Sequence, residues 1–220
     1  MMRTGARIAV VAVILATSGQ AMADNNFGIG VKAGTLGAGL EGTWRPLPYM
    51  DVRVGANLYE FKDSGSQAGI NYDGALNLES YYGTLSVRVP LSPLRLTTGA
   101  FSNGNELTLV SSDNDLIVDI GGTAYAAAEV GTLSSSTSFS GVAPYLGIGL
   151  DFTLFNKVGL NFDVGVLWQG DPTVSLLADG PIAGDPAFQT SLELERKELL
   201  DEVSDYKAWP VLSIGFNYNF

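Results

Sequence analysis

The chain has 220 residues, with no cysteine, no histidine, and 12 Lys and Arg against 23 Asp and Glu, a formal net charge of −11. That balance argues against nucleic acid as a partner, because phosphate binding needs a basic face. It leaves no disulfide and no thiolate metal site, and it removes the side chain that most often holds a metal or moves a proton near neutral pH.

The first element in chain order is a processing signal. Arg3 and Arg7 form a basic start, and Ile8 to Thr17 an apolar core too short to span a bilayer. Ala21-Met22-Ala23 has the small-x-small form that signal peptidase cuts. Cleavage after residue 23 is expected, leaving one domain over residues 24–220. Loss of that segment makes the charge more negative still, because it carries two arginines and no acid. No later stretch is long and apolar enough for a transmembrane helix. An exported chain this rich in Gly, Tyr and Phe is then a soluble periplasmic β-protein or a membrane barrel.

Periodicity decides between them. Strands with lipid on one side and a polar lumen on the other alternate with period 2 over about 10 residues, with aromatics near the interfaces. Phe27, Ile29 and Val31 start one such run on odd positions. Ala38, Leu40 and Trp44, opposite Gly39, Glu41 and Thr43, continue on even ones. Something at Gly34-Thr35 therefore shifts the phase, a bulge or a very tight turn. After a turn through Arg45 to Pro48, Val52, Val54, Ala56 and Leu58 oppose Arg53, Gly55 and Asn57. Leu85, Val87 and Val89 oppose Ser86 and Arg88, the chain turns at Pro90 to Pro93, and Leu94, Leu96 and Thr98 oppose Arg95, Thr97 and Gly99.

Further on, Leu146, Ile148, Leu150 and Phe152 oppose Gly147, Gly149 and Asp151. A short link through Phe155 leads to Val158, Leu160, Phe162, Val164, Val166 and Trp168, opposite Asn161 and Asp163. The last run places Leu212, Ile214, Phe216, Tyr218 and Phe220 on one face. Long linkers occupy about residues 62–75, 105–142 and 171–207. With the short run from Phe27 set aside, the clear runs number seven, and a single-chain bacterial barrel has an even count. The missing crossing is either Phe27 to Ala33 or part of Leu107 to Phe139. The expected fold is an all-β, up-and-down antiparallel transmembrane β-barrel of eight strands, with ten as the alternative.

The last linker carries one helix. Ser191 to Tyr206 spaces Leu192, Leu199, Val203 and Tyr206 along one side, with Glu193/Lys197 and Lys197/Asp201 as i,i+4 pairs. That stripe must bury against the barrel's own mouth or against a partner. Asp171-Pro172, Asp179-Gly180-Pro181 and Asp185-Pro186 upstream read as turns.

The stretch Val142-Ala143-Pro144-Tyr145-Leu146-Gly147-Ile148-Gly149, leading into Gly165-Val166-Leu167-Trp168-Gln169-Gly170, resembles a family of small outer-membrane β-barrel proteins of Gram-negative bacteria. Ala33-Gly34-Thr35-Leu36-Gly37 and Trp209-Pro210-Val211-Leu212-Ser213-Ile214-Gly215-Phe216 fit the same resemblance. It covers most of the chain and implies the fold and an outer-membrane location, with no catalytic or ligand residue. Phe216, Tyr218 and Phe220 resemble the signal by which the barrel-assembly machinery recognises its clients. Outer-membrane lipids and that machinery are the expected partners, and a monomer is the expected state.

Most enzymes on this architecture move a proton through histidine, so a chain with none is expected not to be an enzyme, and no cofactor is expected. Asp113-Asn114-Asp115 could offer oxygens to a hard cation, but two carboxylates rarely suffice, and a solvated turn is the better reading. Parity points Glu41, Arg53, Arg88, Arg95, Asp151 and Asp163 into the lumen, where charges kept from lipid should pair. An eight-stranded interior is narrow enough for side chains to fill. The first function expected is therefore a non-enzymatic barrel serving envelope integrity or surface contact. The alternative is a narrow pore or conduit for small molecules, with these charges setting its selectivity.

Overall fold

The computed structural model describes residues 26–67, 70–111, 117–154, 157–204 and 206–220. The first strands are β1 (Phe27–Gly34), β2 (Gly37–Leu47), β3 (Met50–Gln67), β4 (Ile70–Arg88) and β5 (Leu94–Ser111). Then come β6 (Ile117–Ile120), β7 (Thr123–Ala126), the short helix α1 (Ala127–Val130), β8 (Leu133–Leu154), β9 (Val158–Trp168) and β10 (Thr173–Ala178). Helix α2 (Pro186–Val203) and β11 (Ala208–Asn219) complete the chain. No described helix is long and apolar enough to cross a membrane.

Eight strands, β1 to β5, β8, β9 and β11, pair antiparallel in sequence order, and β1 closes the ring by pairing with β11. Closure leaves no unpaired strand edge among them. The eighth crossing is β1, not part of residues 107–139. Its phase break is a tight turn: Gly34 pairs directly with Gly37, so Thr35-Leu36 is a two-residue link. Gly37 has φ +98°, a conformation that a Cβ would strain.

Two of the expected linkers are largely strand. The β3–β4 ladder runs without a break in register from Met50↔Val87 to Gln67↔Ile70, and β5 and β8 stay paired up to Ser111↔Leu133. Beyond the level of Tyr59 these strands leave the barrel, and their residues are polar or mixed on both faces. Without one uniformly apolar face, the alternation that reveals a lipid-facing strand is lost. The remaining linker segments form a cap. The β6–β7 hairpin lies outside the barrel sheet, and β10 pairs with the outer end of β8.

Helix α2 begins at Pro186, five residues before the expected start, and ends at Val203. Asp185 caps it, its carboxylate accepting from the backbone N–H of Ala187 at 2.7 Å and of Phe188 at 3.3 Å. Pro186 occupies the first turn, where its missing N–H leaves nothing unpaired. An Asp-Pro pair marks a turn and a helix start alike, which is why it reads as a turn. The helix buries Phe188 and Leu192 against Ile120, Val130 and Leu176, with Leu133, Ala178 and Leu199 packed around them. The stripe thus meets the cap's own hairpin and β10, while Tyr206 lies past the helix and is exposed.

Candidate functional site

Each barrel strand sends alternate residues inward, and the positions that the ladder sets side by side form levels across the lumen. At one end lie the connections at residues 48–49 and 89–93, together with Asn26, Leu154, Lys157 and Phe220. Barrels of this class place short turns and termini in the periplasm and long loops outside. The lumen half nearer those turns is charged, and the half nearer the cap is aromatic and aliphatic.

The charged half is one connected network. Arg53 Nη1 donates to Glu41 Oε1 at 3.2 Å, and its Nη2 lies 3.5 Å from Asp151 and 3.9 Å from Asp51. Arg88 donates to both oxygens of Asp51, at 2.9 and 3.2 Å. Arg95, 1% exposed, bridges Asp151 and Asp163 with its two terminal nitrogens and reaches Thr97 Oγ1 through Nε. Gly149 makes room for that bridge: a Cβ there would lie 2.6 Å from both Arg95 Nη2 and Asp163 Oδ1.

All six charges of the parity argument therefore meet inside the barrel: Glu41, Arg53, Arg88, Arg95, Asp151 and Asp163. Three further residues join them. Lys32 lies 3.8 Å from Glu41 and 3.8 Å from the centroid of the Tyr82 ring, and the even face of β1 already carried it. Arg45 Nε donates to Asp51 at 3.0 Å. Arg45 lies in a stretch that reads as a turn, and Asp51 falls just before the clear alternation of β3, so pattern assigns neither a face. Tyr82 adds a neutral donor, its hydroxyl bonding Glu41 Oε2 at 2.9 Å.

Above this network the lumen is stoppered. Tyr82 stacks on Phe101 at 4.8 Å between centroids, and Phe101 meets Tyr145 at 5.3 Å. Leu167, Val211 and Ala143 fill the gaps, and Leu36, at the tip of the β1–β2 turn, folds into the same cluster. The turn is pinned to β11 through Thr35, whose hydroxyl donates to Pro210 O at 2.8 Å and accepts from Leu212 N at 3.1 Å. Leu167 is fully buried. Between network and stopper lies a cavity of about 20 Å³, lined by Glu41, Arg53, Tyr82, Arg95 and Asp163 among others, enough for roughly one water.

The barrel exterior is the inverse of its interior. Phe27, Ile29 and Val31 on β1, Leu146, Ile148 and Phe152 on β8, Phe162, Val164 and Trp168 on β9, and Leu212, Ile214, Phe216, Tyr218 and Phe220 near the end of the chain are all exposed. An apolar surface all round a closed barrel is far larger than a water-soluble monomer carries, and it matches the lipid-facing band of a transmembrane barrel. Phe27 pairs with Trp44 across β1 and β2 near the turn end, where an aromatic girdle belongs.

Among solved structures, CarO2 and CarO of Acinetobacter baumannii are similar to this chain. Each is 23% identical, with a TM-score of 0.59 over 88% of this chain, covering 98% and 97% of theirs respectively. No protein-family model matches the chain, and no curated protein matches it in sequence. At that identity the likeness is one of fold. Fold and surface together are those of an outer-membrane β-barrel.

Among the described residues no group of three or more acids is arranged to hold a metal ion. Asp113-Asn114-Asp115 lies outside the described residues, as do residues 1–23. Phe216, Tyr218 and Phe220 share the outward face and contribute nothing to the lumen.

Proposed function

We propose that the chain is a non-enzymatic, monomeric outer-membrane β-barrel whose lumen is closed, and whose contribution is to the integrity of the envelope or to contact at the surface through its cap. The observation that carries this reading is the two-tier filling of the lumen. A buried ion-pair network and an aromatic stopper lie in series, each spanning the ring, so a solute would have to displace both. The cap, with its own apolar core, supplies the surface that stands in water. Phe216, Tyr218 and Phe220 form the lipid-side series that the assembly machinery is proposed to engage.

Two measurements test it. The protein should fractionate with outer membranes and run faster on a gel before boiling than after, because a closed barrel resists detergent. Refolded into planar bilayers, it should show no unitary conductance. Recovery as a soluble periplasmic protein would sink the membrane reading, and steady single-channel currents would make the narrow pore the better account.

A further inference from the structure

We propose that the edge of β3 above the ring is a docking site for an extended, basic peptide segment of a partner protein, which adds to the wall as a further strand. The proposal deepens the surface-contact reading and rests on it for the outward-facing position of this edge. Pairing between β2 and β3 ends at Ala38↔Leu58, whereas β3 continues to Gln67. On its other side β4 stays paired with it throughout. Ring closure therefore satisfies β3 only as far as Leu58, and Tyr59 to Ser64 form a sheet edge, a template for another strand.

Register identifies the groups on that edge. Arg88 N donates to Tyr49 O at 2.8 Å, so residues in phase with Tyr49 turn their backbone groups towards β4, and the ladder then runs without a shift from Met50↔Val87 to Gln67↔Ile70. Successive residues of a strand bond to opposite sides. Glu60, Lys62 and Ser64 accordingly present N–H and C=O away from β4. Among the described residues no strand pairs with that side, and the Ser64 N–H turns instead to the carboxylate of neighbouring Asp63 at 3.0 Å. The wall's other edge is met by this chain itself: α2 packs against Leu176 of β10, and Arg196 reaches Val174 O at 3.5 Å.

The side chains say what kind of strand fits. Tyr59 and Phe61 point to the inner side, in phase with Arg53 and Asn57, and remain 48% and 45% exposed. A strand laid along β3 would set its own apolar residues beside them, a cross-strand pairing that stabilises a sheet. Beyond Leu58, β3 and β4 carry Glu60, Asp63, Asp73 and Glu79 against Lys62, in a chain of net charge −11, so a partner strand with basic residues is favoured. Charges on an edge also keep it from indiscriminate pairing, which leaves selectivity to the partner's own charge. A second copy in the same bilayer does not fit, because its β3 would point the same way, whereas two strands related by a two-fold axis pair antiparallel.

Fluorescence anisotropy and amide exchange of the refolded protein in a neutral detergent, with a synthetic peptide that alternates valine and lysine, test the site. Saturable binding is expected, with exchange slowed at Glu60 and Lys62. A peptide that alternates valine and glutamate should bind at least about tenfold more weakly. Lys62→Pro removes an edge N–H and no bond to β4, and should weaken binding by about tenfold or more. Lys62→Ala keeps the N–H and drops a like charge, so it should bind at least as tightly as the wild type. Gel mobility before boiling reports whether each variant is folded. Equal binding by the wild type and a folded Lys62→Pro, equal binding of the two peptides, or protection confined to residues other than 59–64 overturns the proposal. A folded, non-conducting wild type that binds neither peptide overturns it too and leaves the closed-barrel reading standing, whereas a soluble periplasmic chain overturns both. Dimerisation in detergent that Lys62→Pro abolishes would assign the edge to a second copy and overturn the peptide partner.

Discussion

Arg88 and Arg95 face each other directly across the β4–β5 ladder, and Asp151 reaches both, 3.5 Å from Arg88 Nε and in a closer ion pair with Arg95. Like charges directly opposite in a sheet repel, and the carboxylate from β8 shared between them offsets that repulsion, alongside Asp51 on Arg88 and Asp163 on Arg95. Asp151→Asn should therefore destabilise the barrel by about 3–5 kcal/mol, the loss expected when one member of a buried ion pair is removed. Asp171→Asn, which breaks the exposed pair with Lys207, should change stability by about 0–1 kcal/mol. Urea unfolding in micelles compares the two, and equal effects would mean that the lumen charges are hydrated rather than paired.

The boundary between lipid and water can be located with two equally exposed side chains. Val164 on β9 is 59% exposed and Leu177 on β10 is 65% exposed. Val164→Arg should cost about 2–4 kcal/mol if it sits near the bilayer midplane. Leu177→Arg, in the cap, should fall within about 0.5 kcal/mol of wild type. Folding equilibria in lipid vesicles give both numbers, and a tolerated Val164→Arg would place the apolar band elsewhere.

The stopper should be needed for stability before it is needed for closure. Leu36→Ala removes a buried leucine from the aromatic cluster and should cost about 2–5 kcal/mol. It should not open a channel, since the ion-pair network lies beneath it. Leu36→Ala combined with Arg95→Ala thins both tiers and should admit current in planar bilayers. Conductance from Leu36→Ala alone would show that the charged tier does not seal.

The cap has its own apolar cluster and should loosen independently of the barrel. Asp185→Ala removes the N-cap of α2 and should cost about 1 kcal/mol there. Amide exchange should rise in residues 117–130 and 173–203 while β9 and β11 stay protected. A uniform rise across the barrel strands would mean that cap and barrel unfold as one unit.

How much of this was legible follows from where each residue meets lipid. Val158 to Trp168 and Leu212 to Tyr218 lie against an apolar solvent on one face only, so their alternation is clean and carries Asn161, Asp163 and Ser213 inward by parity alone. The same parity carried Glu41, Arg53, Arg88, Arg95 and Asp151. Asp51 and Arg45 flank the turn at Pro48, where alternation has barely begun, and pattern alone gave them no face. Tyr59 to Gln67 and Leu107 to Ser111 continue their strands into water, where nothing enforces one apolar side. Leu36 is the subtlest: a leucine in a two-residue link reads as an exposed turn residue, and only the folded ring shows it turned back into the lumen.

The unequal heights of the strands have a mechanical consequence. β3, β4, β5 and β8 rise about 20–25 Å above the level of Leu36, at about 3.3 Å per residue, whereas β1, β2, β9 and β11 stop near it. The cap is attached to the tall side, through β10 on β8 and the link from α1 into β8. A pull on the cap along the barrel axis would act largely along those strands. Hydrogen bonds in an antiparallel ladder stand across the strand direction, so such a load is shared by many of them at once instead of parting them one after another. The wall can in that sense pass tension from the cap to the closed ring without first coming apart.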